Sequence, residues 1–121
     1  MARILVVDDD DTIRETLHEL LSDDYDCDTA ETAETALVKL DTEKYNLVLT
    51  DISMPGLSGV ELLGLIREKY SDTPVILISG IGDQERARSL IEMGAFDFIT
   101  KPFSLVVVEE SVKRAVDSGN A

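Results

Sequence analysis

The 121 residues suit one domain, and a 44% hydrophobic content allows a core of ordinary size. A formal net charge of −14 argues against direct nucleic-acid binding, which needs clustered Lys and Arg against phosphates, and favours a bound cation or a basic partner surface. No apolar run approaches the roughly 20 residues of a membrane span, no basic leader followed by an apolar stretch opens the chain, and the single Cys27 excludes an internal disulfide and fits a reducing cytoplasm.

Short apolar runs alternate with amphipathic stretches. Ile4-Leu5-Val6-Val7 predicts a strand over 3–7. A helix follows with Ile13, Leu17, Leu20 and Leu21 on one face, and Asp11 or Thr12 is expected to cap it. A second strand is expected over 24–29, carrying Cys27 as a buried structural thiol. A helix over 33–40 turns Ala33, Ala36, Leu37 and Leu40 inward, and Leu47-Val48-Leu49 marks a strand over 46–50 that delivers Asp51. The turn Ile52-Ser53-Met54-Pro55-Gly56 leads to a helix starting near Ser58, with Val60, Leu63 and Ile66 at helical spacing. Val75-Ile76-Leu77-Ile78 is the fourth strand, ending before Ser79 and Gly80-Ile81-Gly82-Asp83. A helix over 83–93 has Ala87, Leu90 and Ile91 as its stripe and Gly94 just past its end. The fifth strand, 97–100, leads to Lys101-Pro102 and a helix over 104–117, with the polar tail 118–121 behind it. Five βα units imply parallel strands with right-handed crossovers in a single domain spanning 1–121. The third and fourth strands, nearly all apolar, should be central and covered on both faces.

Three strands thus end in charged groups: Asp8 and Asp9, Asp51, and Lys101. In an open α/β sheet, ligands bind outside those ends. Acidic residues also suit a helix N-terminus, but Asp8 to Asp11 are four in a row, and one or two caps suffice. The remainder repel one another unless a cation neutralises them. Mg²⁺ accepts carboxylate and carbonyl oxygens, so Asp8, Asp9, Asp51 and the backbone carbonyl of Ser53 form a candidate metal set. Lys101 reads in isolation as an ordinary exposed lysine, but an apolar strand before it and Pro102 after it imply a packed stem, leaving its ammonium to pair with the carboxylates or a phosphoryl oxygen. The Lys101–Pro102 bond is of the kind in which cis is accessible. Ser79 reads either as a plain loop serine or as a hydroxyl donor to a phosphoryl group, with Gly80 and Gly82 permitting backbone movement.

At these positions the chain resembles the receiver domain of two-component response regulators. The resemblance rests on Val6-Val7-Asp8-Asp9, on Asp51-Ile52-Ser53-Met54-Pro55-Gly56-Leu57-Ser58-Gly59, on Ser79-Gly80 and on Lys101-Pro102-Phe103, in the family's order over essentially the whole chain. It implies a flavodoxin-like (βα)5 three-layer α/β sandwich with strand order 2-1-3-4-5. It further implies that Asp51 is the phosphoacceptor; that Asp8, Asp9, Asp51 and the Ser53 carbonyl hold Mg²⁺; that Lys101 pairs with the phosphoryl group; and that Ser79 and Phe98 are the switch residues. Phe98 departs from the Tyr of many members and lacks its hydroxyl, and Gly80 stands where Ala is frequent. The implied partners are a sensor histidine kinase or phosphotransfer domain and, through the face of the fourth helix, fifth strand and fifth helix, a second copy as a homodimer. No nucleic acid or membrane contact and no turnover enzyme is implied: the domain promotes phosphorylation and dephosphorylation of its own aspartate.

Two surfaces stand out. Leu105, Val108, Val112 and Ala115 or Val116 form the stripe of the last helix, which leaves Val106 and Val107 pointing outward as an apolar patch. On the first helix, Arg14, Glu15 and His18 face away from the apolar stripe, and the resemblance makes that side, with Phe103-Ser104, the kinase-docking region. His18 stands too isolated for catalysis. A phosphohydrolase using Asp51 as nucleophile lacks a second catalytic acid here, and a phosphorylation-independent interaction module has no need of the charged set.

Overall fold

The computed structural model describes residues 1–80 and 84–118. Five parallel strands, β1 (Arg3–Val7), β2 (Asp26–Ala30), β3 (Leu47–Asp51), β4 (Val75–Ser79) and β5 (Asp97–Thr100), form one sheet in the order β2-β1-β3-β4-β5. Helices α1 (Asp11–Leu21), α2 (Ala33–Thr42), α3 (Gly59–Lys69), α4 (Ala87–Glu92) and α5 (Leu105–Ser118) connect them, with a 3₁₀ turn, Gln84–Arg86, leading into α4. This is the flavodoxin-like sandwich the sequence implies.

Alternation along the strands divides the apolar residues between two cores. Ile4 and Val6 of β1, Leu47 and Leu49 of β3 and Ile76 and Ile78 of β4 meet Leu17 and Leu21 of α1 and Val108, Val112 and Ala115 of α5. Leu5, Val7, Val48, Val75 and Leu77 point the other way, onto Ala33, Ala36 and Leu40 of α2, Leu62, Leu63 and Ile66 of α3 and Leu90 of α4. The continuous apolar runs follow from this double coverage. Burying each large aliphatic side chain contributes about 1.5–3 kcal/mol relative to exposure.

Several boundaries differ from expectation for local reasons. The cap of α1 is Asp10, one residue before the expected Asp11 or Thr12, because its extended backbone lets Oδ1 accept the Ile13 N–H at 3.1 Å. β2 starts at Asp26, since the amides of Asp24 and Tyr25 still bond to the Leu21 carbonyl. Leu62 joins Leu63 and Ile66 in the core while Val60 is only half-buried. Ile91, expected on the α4 stripe, is 44% exposed; α4 is six residues long, and Leu90 is the buried residue there among the described side chains. Leu105 is also 44% exposed, because the first residue of α5 precedes the stretch that lies on the sheet. Asp83, the expected start of the fourth helix, lies outside the described residues with Ile81 and Gly82. Gly94 follows α4 with φ +106°, the left-handed position expected past a helix end.

At the junction of β3 with α3 the two main chains approach closely. Ser58 and Glu61 form a capping box, and the Gly59 amide donates to the Ile52 carbonyl at 2.8 Å. A Cβ at Gly59 would lie 1.9 Å from the Asp51 carbonyl oxygen. Gly59→Ala should therefore cost about 3 kcal/mol or more, since the main chain cannot yield as a side chain does. Gly64→Ala, on the exposed face of the same helix with nothing near its Cβ, should instead gain about 0.5–1 kcal/mol from helix propensity. Urea unfolding of both variants checks the pair; equal effects would contradict the close-approach argument.

Candidate functional site

Register brings the carboxylates together. β1 pairs with β3 so that Val7 lies opposite Thr50, and the next residue on each strand is Asp8 and Asp51. Asp8 is fully buried and Asp51 is 7% exposed. The main-chain amide of Asp8 donates to the Ala30 carbonyl at 3.1 Å, and its Oδ1 accepts the Asp10 amide at 2.9 Å. Asp9, one residue further, is exposed. Asp8, Asp9 and Asp51 each offer a carboxylate oxygen, all within 4.8 Å of one another. An all-oxygen, anionic donor set of this compactness fits a hard divalent cation.

Lys101 enters from the far side. Its Nζ lies 3.3 Å from Oδ2 of Asp8 and 3.5 Å from Oδ2 of Asp51. Its own amide donates to the Ser79 carbonyl at 2.7 Å, fixing the end of β5 to the end of β4. The Lys101–Pro102 bond is cis. Ser79 is fully buried, and its Oγ has no hydrogen-bond partner among the described residues. A buried hydroxyl without a partner costs about 1–3 kcal/mol, so its retention points to a role outside packing. Phe98 is half-buried against the core on the α2–α3–α4 side. Gly80 is half-buried, with open space where a Cβ would project. Ser53 is exposed, and its amide donates to the Asp51 carboxylate.

Burial pushes the Asp51 carboxyl above the usual carboxylate range and the charge of Asp8 adds to it, against Lys101 and the Ser53 amide, which pull it down. Burial likewise raises Asp8, opposed by the Asp10 amide and Lys101. For Lys101 burial works against the charge, but Asp51 and Asp8 outweigh it and hold the ammonium above its ordinary value. The site is thus a pair of strained carboxylates sharing one cation.

Other singled-out residues lie elsewhere. His18 and Glu15 are exposed on α1. Val106 and Val107 are 61% and 49% exposed. Cys27 is half-buried rather than buried, with its thiol pushed up to about 11 by burial and then by Asp28, which keeps it protonated and inert at neutral pH. Arg14 departs from expectation. It does not face outward with His18: its side chain is only 12% exposed, and Nη1 donates to the Asp8 carbonyl at 2.7 Å. Its long stem folds back over the start of α1, where the acidic loop supplies acceptors. Helical spacing gives the side of the helix a residue occupies but not the reach of a flexible arginine along it.

The family model described as response regulator receiver domain matches residues 4–113. The response regulator protein FleR of Pseudomonas aeruginosa is 39% identical over 114 residues, covering 93% of this chain and 24% of FleR. The nitrogen assimilation regulatory protein NtrX of Azorhizobium caulinodans is 41% identical over 113 residues, 88% of this chain and 25% of NtrX. This chain therefore spans about a quarter of the length of either relative. Among solved structures, a response regulator receiver domain protein from Clostridium thermocellum superposes with a TM-score of 0.91 at 28% identity, covering 99% of this chain and 98% of that one. NtrX from Brucella abortus gives 0.93 at 39% identity, over 99% of this chain and 28% of NtrX.

The raised carboxyl of Asp51 fixes the sign of a stability effect. A folded-state value above the unfolded one means that the ionised group opposes folding at neutral pH, and that the penalty fades as falling pH protonates it. Asp51→Asn should stabilise the domain at pH 7 in chelator by on the order of 1 kcal/mol, and the gain should shrink as the pH is lowered to about 4, the ordinary carboxylate value. Urea titrations at the two pH values check this; a destabilised variant at pH 7 would contradict it.

Proposed function

Because the chain belongs to the response regulator receiver domain family of two-component systems, we propose that Asp51 accepts a phosphoryl group from the phosphohistidine of a sensor histidine kinase or phosphotransfer domain. The observation that carries this reading is the convergence on Asp51 of Lys101 at 3.5 Å, two further carboxylates within 4.8 Å, and the unpartnered hydroxyl of Ser79 at the end of the neighbouring strand.

An Asp51 carboxylate oxygen attacks phosphorus, the bond from phosphorus to the donor imidazole nitrogen breaks, and that nitrogen leaves with the electron pair. Charge spreads over the phosphoryl oxygens, so catalysis is positioning and neutralisation. Asp8, Asp9, Asp51 and the Ser53 carbonyl would hold Mg²⁺, which when bound neutralises phosphoryl charge. Lys101, already between Asp8 and Asp51, turns its ammonium to a phosphoryl oxygen as a charge-assisted donor. The ionised state of Lys101 is secured by the two aspartates that raise it. In this reading the domain promotes its own phosphorylation and dephosphorylation and is not a turnover enzyme.

The acyl phosphate brings new acceptor oxygens beside a hydroxyl that has none. Ser79 swings to donate to it, Gly80 accommodates the backbone change, and Phe98 turns inward into space that Ser79 leaves. This is a shift between two populated surfaces. The responding face is α4, β5 and α5, where Ile91, Leu105, Val106 and Val107 are exposed, and it controls an output, through a homodimer or an effector. The reading takes 1–121 as a single receiver domain; Ser118, expected to open the polar tail, instead closes α5, and 119–121 lie outside the described residues. No helix among the described residues is long and apolar enough to cross a membrane, and a kinase partner of this type places the domain in the cytoplasm.

Intact mass after incubation with acetyl phosphate should show one added phosphoryl group in wild type with Mg²⁺, and none in Asp51→Asn or in chelator. Addition to Asp51→Asn would move the acceptor elsewhere; no addition to wild type would sink the phosphoacceptor reading. Ser79→Ala should be more stable than wild type by about 1 kcal/mol, having lost an unsatisfied hydroxyl. It should still take up the phosphoryl group while losing the amide shifts across α4, β5 and α5. Wild-type shifts in that variant would remove Ser79 from the switch.

A further inference from the structure

Arg14, expected on the docking side of α1, turns instead toward the loop after β1. One arm of its guanidinium donates to the Asp8 main-chain carbonyl at 2.7 Å. The other forms an ion pair with Asp11 and reaches Glu31 Oε1 at 3.7 Å, so it spans the loop after β1 and the loop after β2. Side-chain exposure is 12%, too little for a docking residue.

The acceptor is what matters. The Asp8 carbonyl is half of the peptide that joins Asp8 to Asp9. Asp8 itself is fixed at four points: its amide on Ala30, Oδ1 on the Asp10 amide, Oδ2 on Lys101 and its carbonyl on Arg14. Asp9 is exposed, and its side chain forms no hydrogen bond of its own among the described residues. With no bond on its own side chain, Asp9 is placed by the main chain that carries it, and Arg14 holds the carbonyl of the peptide immediately before it.

We propose that Arg14 is a positioning residue for the divalent-cation site, acting by orienting the Asp8–Asp9 peptide so that the Asp9 carboxylate points at the cation. The inference rests on the reading of Asp8, Asp9 and Asp51 as the cation ligands. It makes a prediction opposite in sign to simple electrostatics. A positive charge beside a cation site repels the cation, so removing it should tighten binding; removing an orienting contact should weaken it. It also predicts ion selectivity. Mg²⁺ demands near-ideal octahedral geometry, whereas Ca²⁺ tolerates irregular ligands, so a misaimed Asp9 should harm Mg²⁺ binding more.

Calorimetric titration of Mg²⁺ and of Ca²⁺ into wild type, Arg14→Gln and Asp9→Asn, with urea unfolding in chelator alongside, tests this. In Arg14→Gln the Mg²⁺ Kd should rise about tenfold, the lower end for a residue that orients a metal ligand, with a clearly smaller change for Ca²⁺. An Mg²⁺ Kd that stays the same or falls, or an equal loss for both ions, overturns the proposal. Arg14→Met, which keeps most of the stem, takes its place if the glutamine variant does not fold. The underlying site has its own control: wild type must bind Mg²⁺ in a way that Asp9→Asn abolishes, and if it does not, the cation site itself falls and the role of Arg14 with it.

Discussion

Asp8, Lys101 and Asp51 form one electrostatic unit, and the geometry of the sheet exists in its present form to hold it. Two carboxylates almost without solvent contact sit on adjacent strands one residue past the Val7–Thr50 pairing, a separation at which ionised groups repel. The single ammonium that both share comes from the other edge of the sheet, and it reaches them because β4 and β5 are locked at their ends by the Lys101 amide on the Ser79 carbonyl. Lose that register and the site holds two uncompensated buried charges, which a fold of ordinary stability cannot carry. The domain keeps a locally unfavourable arrangement because the same crowding that raises the carboxylates makes them a sink for positive charge.

The surrounding structure can be understood as the reinforcement this requires. Strand alternation gives two cores, so the sheet is fixed from both faces and its C-terminal ends cannot slide. Behind Asp51, α3 begins with a glycine whose missing side chain lets the helix press on the Asp51 carbonyl, while Ser58 and Glu61 hold the first turn. In front, the loop after β1 is tied by Asp10, which accepts from Ile13, and by Arg14. The main chain of Asp51 is therefore packed closely against α3, and the loop that carries Asp8 is tied down separately.

How much of this was legible in the residues depends on the range of the interaction. The limits of β1 and β5 and the charged strand ends could be read directly, because hydrophobic runs closed by charged residues are local signals. The four-aspartate run pointed to a cation site through its own repulsion. Other features depended on distant partners. Asp10 caps α1 through backbone geometry that does not distinguish it from its acidic neighbours in the sequence. Ile91 and Leu105 satisfy helical periodicity but sit on a helix too short, or too near its end, to bury them. Arg14 looked outward because periodicity places a Cβ, whereas its guanidinium travels back along the helix to a carbonyl. The hydroxyl of Ser79, without a partner among the described residues, is legible in no sequence, since its state is defined by what surrounds it.

The two helical layers are unequal, and this decides where a change at the site is transmitted. α5 is fourteen residues long and buries Val108, Ser111, Val112, Ala115 and Val116; Ser111 and Arg114 also bond to Asp97 at the start of β5. Moving it as a body breaks many contacts. α4 is six residues long, opens from a 3₁₀ turn without a side-chain cap, and has Leu90 as its buried anchor among the described side chains. Segments with few buried apolar contacts are the ones that rearrange at low cost. Ser79 ends the strand that leads into this segment, and Phe98 packs on the same side of the sheet. In the proposed reading, a new acceptor at Asp51 pulls on Ser79, and the contrast between a well-anchored α5 and a short α4 with Leu90 as its buried anchor among the described side chains gives the signal a direction.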